Sequence, residues 1–375
     1  MNGNLDAQSI ALTAILMGHW QRFLSLPNEW GSLLRTAELE GVMPLLYAAI
    51  RRDQMGSQLP LDFIAHLEGA YRREQISYVT RYKVLRDVLG RLAETGIQVI
   101  VFKGAALAEM VYHDVSLRSM CDLDFLVRTN DVFRVLQVLQ EGGYVPFKSY
   151  ELRPGFDLQF HVEKELISPD NMLSVEIHWH LIGPLFACRF VDEISLWKNA
   201  REMQLVGCPA WVLAPEEWVL QLAAHAIYKH RQIRLINLCD IDRSIRTFGE
   251  TLNWQRMLEI GATFHWMPAL LDVLSQAARF FETPVPFGLL EDAARYRLPA
   301  SEQWLMAWWQ RPGRPESHHV FPDWLTLPSL RTRLYFLWAY LFPSSNYLTM
   351  HYPERRAWQR RFLYLKQLRR WTVVD

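Results

Sequence analysis

Between residues 10 and 96 the apolar positions recur at helical spacing: Leu12, Leu16, Trp20 and Phe23, then Leu45, Leu46, Tyr47 and Ile50. This periodicity predicts several packed helices. Residues 81–94 continue it, and Thr95-Gly96 closes it with the glycine expected just past a helix C-terminus. Residues 97–102 are then β-branched and aromatic, Lys103-Gly104 interrupts them, and residues 105–111 have helix-forming composition. That order predicts strand, turn, helix. Residues 123–127 are a second strand candidate, and Thr129 or Asn130 can cap a helix over 131–141 that Gly142-Gly143 stops.

The period then changes. Polar and apolar residues alternate strictly over 157–163 and again over 174–180, and Ser168-Pro169-Asp170-Asn171 between them is a turn signal. An antiparallel hairpin with one apolar and one polar face is predicted. Beyond about residue 184 the pattern predicts helices again, with Pro215-Glu216-Glu217 opening one that runs through His225 and Lys229, and prolines punctuating the rest. The predicted fold is α+β, with an N-terminal helical region (1–95), a small mixed-sheet core (96–184) and a C-terminal helical domain (185–375).

Composition narrows the function. The 375 residues are 50% hydrophobic, which predicts a folded globular protein, and 40 Lys+Arg balance 40 Asp+Glu. A net charge of zero removes any global electrostatic argument for nucleic acid or an anionic membrane as an obligate partner, though local patches remain open. The N-terminus has no basic stretch ahead of an apolar one, and the longest apolar run, 334–342, falls far short of the roughly 20 residues needed to cross a bilayer. Cys121, Cys188, Cys208 and Cys239 are scattered without C-x-x-C pairing, as expected of reduced thiols in a cytoplasmic protein.

The most informative segment chemically is Asp122-Leu-Asp-Phe-Leu-Val127. In a strand, residues i and i+2 share a face, so both carboxylates point one way while Leu123, Phe125 and Val127 anchor the other. Two acids held together either repel or share cations, and such a pair suits divalent ions in phosphoryl chemistry. An edge strand with two solvated aspartates is the plainer reading of D-x-D alone. Gly104 lies at a predicted strand-to-helix turn, where backbone N–H groups and a helix dipole can receive a phosphate. Lys103 adjoins it. Glu176 lies on the polar face of the second hairpin strand and completes a metal-binding set only if that strand runs beside the Asp122 strand.

Residues 99–108 (Val-Ile-Val-Phe-Lys-Gly-Ala-Ala-Leu-Ala) and 117–127 (Leu-Arg-Ser-Met-Cys-Asp-Leu-Asp-Phe-Leu-Val) resemble the uncharacterised nucleotidyltransferase family of the polymerase-β-like superfamily. Val175-Glu176-Ile177-His178-Trp179 looks like a later strand of that family, and His225, Lys229-His230, Arg234 and Asp240 look like its helical histidine and lysine-histidine motif. The resemblance implies a metal-dependent enzyme that moves a nucleoside monophosphate from an NTP to an acceptor. It implies Mg²⁺ or Mn²⁺ on Asp122, Asp124 and Glu176, with Glu176 also deprotonating the acceptor hydroxyl. It places the nucleotide phosphates at Lys103, Gly104, Ala105 and Arg118, and the nucleotide side of the cleft at His225, Lys229 and Asp240. Three positions depart from the family pattern: Ala105 stands for a glycine or serine, Cys121 for a glycine, and Glu176 for an aspartate. They motivate a second reading, a non-catalytic nucleotide-binding or scaffold protein on the same fold.

Other signals compete. His178-Trp179-His180 has a spacing that can bind Zn²⁺, with His161 across the hairpin, but no further ligand set is identifiable. His178 is instead expected to orient Glu176 or another acid. Lys103 has the alternative of a solvated strand end, Arg118 that of an ion pair with Asp114, and His225 with Lys229 that of a solvated helix face. The dense C-terminal tryptophans read as core. Arg355, Arg356, Arg360, Arg361, Lys366, Arg369 and Arg370 make the last helix basic, a candidate dock for a peptide or protein partner or for RNA, or simply a solvated helix.

Overall fold

The computed structural model describes residues 6–26, 29–148, 150–229, 232–311 and 320–372, with side chains as far as residue 365. The N-terminal region is helical as its periodicity predicts: α1 (Ala7–Leu16), α2 (Trp20–Leu24), α3 (Trp30–Leu39), α4 (Met43–Arg52) and α5 (Leu61–Glu94). Phe63, Leu67 and Ala70 on the first turns of α5, and Val84, Leu85, Val88, Leu89 and Leu92 on its last turns, are buried at helical spacing. Gly96, with φ +70°, turns the chain out of α5.

A seven-stranded mixed sheet follows. Its strands are β1 (Ile100–Phe102), β2 (Asp122–Leu126), β3 (Val145–Pro146), β4 (Glu163–Ile167), β5 (Ser174–His178), β6 (Arg201–Leu205) and β7 (Cys208–Val212), in the order β3-β4-β5-β2-β1-β7-β6. The interleaved helices are α6 (Lys103–Leu107), α7 (Val132–Glu141), α8 (Phe156–Phe160), α9 (Leu185–Cys188) and α10 (Glu193–Asn199). Leu123, Phe125, Val175 and Ile177 put β2 and β5 into the main core. The α+β class read from the sequence is the class observed.

Two local expectations are overturned. The alternation over 157–163 is not one strand: residues 156–160 form α8, and β4 begins only at Glu163. Phe156 and Phe160 stand one helical turn apart, and both pack against Phe336 with ring centroids 5.7 and 5.0 Å away. That aromatic partner, distant in sequence, selects the helical period over the extended one. Nor is the chain beyond 184 wholly helical, because β6 and β7 form a hairpin whose second strand runs parallel to β1. Its turn, Val206-Gly207, has φ of +50° and +79°. Valine resists that conformation and Pro209 interrupts β7, so the hairpin carries little sequence signal.

The remaining helices are α11 (Pro215–Ala224), α12 (Leu235–Phe248), α13 (Trp254–Thr263), α14 (Met267–Phe281), α15 (Leu289–Arg295), α16 (Ala300–Trp309), α17 (Val320–Thr326), α18 (Leu330–Leu341), α19 (Ser345–His351) and α20 (Ala357–Thr372). Most of α11 to α16 joins the main core, whereas parts of α17 to α20 close a smaller one on Leu152, Phe156 and Phe160.

Candidate active site

Three central strands assemble the acidic cluster. β1 pairs antiparallel with β2, setting Phe102 opposite Asp124, and β2 pairs parallel with β5, setting Asp124 opposite Glu176. The pairing on which the third carboxylate depends is therefore present. β4 adds Glu163, opposite His178.

Lys103 follows β1 with φ +54°, a left-handed conformation that costs energy in a non-glycine residue. From this turn its Nζ lies 2.6 Å from Asp124 Oδ1 and 3.8 Å from Glu176 Oε2. His178 Nε2 lies 3.0 Å from Asp124 Oδ1 and 3.2 Å from Glu176 Oε2. Its Nδ1 is 3.2 Å from Glu163 Oε2 but is not aligned for a hydrogen bond. Asp124 and His178 are almost fully buried. One donor atom each from Asp124, Glu176 and His178 fall within 4.8 Å of one another, a set that could hold a metal ion.

The charges are strongly coupled. Burial alone would raise the Asp124 carboxyl, yet the Lys103 ammonium and the His178 contact outweigh it and hold Asp124 far below the usual range. Asp122, half-buried at the rim, goes the other way, to about 6, through burial and then the charges of Asp124 and Glu176. Burial disfavours the cations on Lys103 and His178, but surrounding carboxylates reverse this and raise both.

Gly104 is buried and is absent from the positive-φ glycines. A Cβ there would lie 2.9 Å from Met120 Cβ, so close approach to the segment before β2 explains the glycine. Ala105 is buried in α6. Beyond α6 the chain forms a π-helical turn, Ala108–Tyr112, and α11 leads into another, His225–Lys229. Such turns are frequent near functional sites. Lys229 Nζ from the second lies 3.1 Å from Glu163 Oε1, which ties the helical region to β4. His225 is half-buried on the same π turn, and His230 lies outside the described residues.

Arg118 is not paired with Asp114. Its Nε and Nη2 donate to the Asp240 carboxylate at 2.8 and 2.9 Å, Tyr112 donates to the same group at 2.7 Å, and Asp114 accepts from Tyr71 at 2.7 Å. A guanidinium so engaged ties the segment before β2 to α12. The zinc alternative also dissolves, since His180 contacts Glu193 at 2.6 Å and His161 contacts Asp157 at 3.2 Å, each away from His178.

The structure brings Asp122, Asp124, Glu176, His178 and Lys103 together, and it links Lys229 to them through Glu163. Glu163, which the sequence offers only as the alternative to Glu176 for the third carboxylate, also belongs to this cluster. The available signal was its position on the polar face of the alternating run, and the misread start of β4 obscured the register. A cavity of about 840 Å³ lies elsewhere, between α4 and α5 beside Tyr47, Arg51, Tyr71 and Asp114. A family model described as an uncharacterised nucleotidyltransferase matches residues 27–282. No curated protein and no solved structure matches the chain.

Proposed function

Because this chain belongs to the uncharacterised nucleotidyltransferase family, we propose that it moves a nucleoside monophosphate from an NTP to an acceptor, a small molecule, peptide or protein, releasing pyrophosphate. The observation that carries this reading is the convergence of Asp124, Glu176 and His178 beside Asp122 on one sheet face. The donor set fits a cation: the Lys103 ammonium already lies against it, and two carboxylates with an imidazole suit Mn²⁺, with Asp122 adding the oxygen character that Mg²⁺ prefers.

Asp122, Asp124 and Glu176 would hold the ion, and His178 would fix the two inner carboxylates or contribute its own nitrogen. When bound, the divalent ion supplies charge stabilisation to the triphosphate oxygens. Lys103 adds a positive charge at the same point, and Glu176 takes the proton of the acceptor hydroxyl. Glu163 pairs with Lys229 and sets a negative charge 3.2 Å from His178 Nδ1.

One observation favours the second reading, a nucleotide-binding or scaffold protein without turnover: Lys103 satisfies Asp124 with no ion required. Incubating the chain with each labelled NTP, Mg²⁺ or Mn²⁺ and candidate acceptors, followed by mass analysis, separates the two. An acceptor gaining one nucleoside monophosphate, lost in Asp124→Asn, supports the enzyme. Metal-dependent NTP binding without any adduct supports the scaffold.

A further inference from the structure

Among the described residues no helix is long and apolar enough to cross a membrane. α18 nevertheless has two apolar faces. One, with Phe336 and Ala339 buried and Tyr335 and Tyr340 partly so, packs on the second core around Phe156 and Phe160. The opposite face carries Leu330, Leu334, Leu337, Trp338 and Leu341, which are 72, 59, 39, 44 and 51% exposed. Their spacing of i, i+4, i+7, i+8 and i+11 places them in one stripe. A helix apolar on both sides is expected to be covered on both.

The flanks say by what. Successive helical residues are about 100° apart, so Arg331 and Arg333 border the stripe on its two sides. α20 repeats the arrangement, with Trp358, Phe362 and Leu365 exposed at i, i+4 and i+7 and Arg361 beside them. Between residues 330 and 365 the arginines are 331, 333, 355, 356, 360 and 361, and the one acidic residue is Glu354. In a chain of zero net charge this makes the segment strongly positive; Arg333 also donates to Leu327, and Arg360 to Tyr352, Thr349 and Pro353, which leaves Arg331, Arg355, Arg356 and Arg361 as the exposed positive charges.

We propose that α18 and α20 form a docking surface for an anionic lipid bilayer, with the leucines and aromatic rings entering the acyl boundary and the arginines meeting the headgroups. That combination of an apolar stripe and a cationic border is what interfacial helices present to lipid. A second copy of the chain would bring arginine-rich borders together, a like-charge contact that disfavours it. Nucleic acid offers phosphates but no apolar phase for the leucine stripe.

The test is sedimentation of the full chain with phosphatidylcholine vesicles with or without phosphatidylserine, alongside light scattering for oligomeric state. Expected are a monomer and binding to the serine-containing vesicles alone, weakened by salt. Leu334→Gln with Leu341→Gln should weaken binding about tenfold, and Arg331→Gln about fivefold, as loss of one surface apolar pair or one basic contact implies. All three changes are on exposed positions, so an unchanged melting temperature certifies the fold. Equal binding to both vesicle types, no binding to either, or a dimer that Leu334→Gln with Leu341→Gln dissolves would each overturn the proposal.

Discussion

Asp124 and Glu176 are register partners on adjacent parallel strands, and His178 Nε2 reaches both carboxylates at 3.0 and 3.2 Å. Asp124 is thus the point where Lys103, His178 and Glu176 meet. Asp124→Asn removes its charge with little change in shape, so it should abolish the rise in melting temperature that NTP with Mg²⁺ or Mn²⁺ produces. The unliganded variant should also melt below wild type, because the Lys103 ammonium and the buried His178 imidazole lose a partner. Differential scanning fluorimetry reads both; undiminished NTP stabilisation in the variant counts against the aspartate assignment.

Glu176 and His178 should separate by kinetics. Glu176→Gln is expected to lower kcat far more than it weakens NTP binding if the carboxylate acts in the transition state. His178→Ala, which frees both Asp124 and Glu176 from their shared contact, should weaken metal-dependent NTP binding as well as kcat. Steady-state kinetics paired with NTP titration makes the comparison, and wild-type kcat in Glu176→Gln would remove Glu176 from the chemistry.

Arg118 tests whether a residue of the nucleotide motif serves the ligand or the fold. Its bidentate contact with buried Asp240 means that Arg118→Met should destabilise by about 3–5 kcal/mol, leaving a carboxylate without its guanidinium. Adding Asp240→Asn should recover much of that loss. Urea unfolding gives the stabilities; NTP affinity of the folded fraction is expected to stay within a few-fold, and a far larger loss would restore a direct phosphate role.

At Gly104 the obstruction is Met120 Cβ, an atom held by the backbone. Gly104→Ala should therefore cost about 1–3 kcal/mol. At Gly142 an added Cβ meets the Arg91 guanidinium at 2.7 Å, the end of a long side chain that can swing away, so Gly142→Ala should cost less. Thermal melting of the two variants ranks them, and equal melting temperatures would mean that the segment carrying Met120 yields freely.

Asp323 links stability to pH. It is 2% exposed, accepts the Phe186 N–H at 2.7 Å, and burial pushes its carboxyl up to about 8. Between 3.8 and about 8 the folded chain keeps a proton that the unfolded chain has released, so this residue makes stability fall as pH rises through that window. Asp323→Asn, which stays neutral and can still accept from Phe186, should melt higher than wild type above pH 8 and show little difference near pH 4. Melting curves across that range decide it; parallel pH profiles would leave Asp323 ionised in the fold.

Much of this chain was legible in sequence because the signals were local. Strand periodicity put Asp122 and Asp124 on one face with Leu123 and Phe125 opposite, and helical periodicity marked the N-terminal helices. The α+β class and the Asp122–Asp124 pair follow from such short-range patterns, and the family from the resemblance of short motifs. What only the tertiary structure decided depends on residues far apart along the chain. Strand pairing set Asp124 opposite Glu176 and brought in Glu163, for the alternation within a strand fixes its faces but not its neighbour. Packing against Phe336 turned residues 156–160 into a helix although their alternation also suited a strand. Long-range charge pairing chose Asp240 over the nearby Asp114 for Arg118, because a guanidinium brought out of water is stabilised by whichever carboxylate the fold places within bidentate reach.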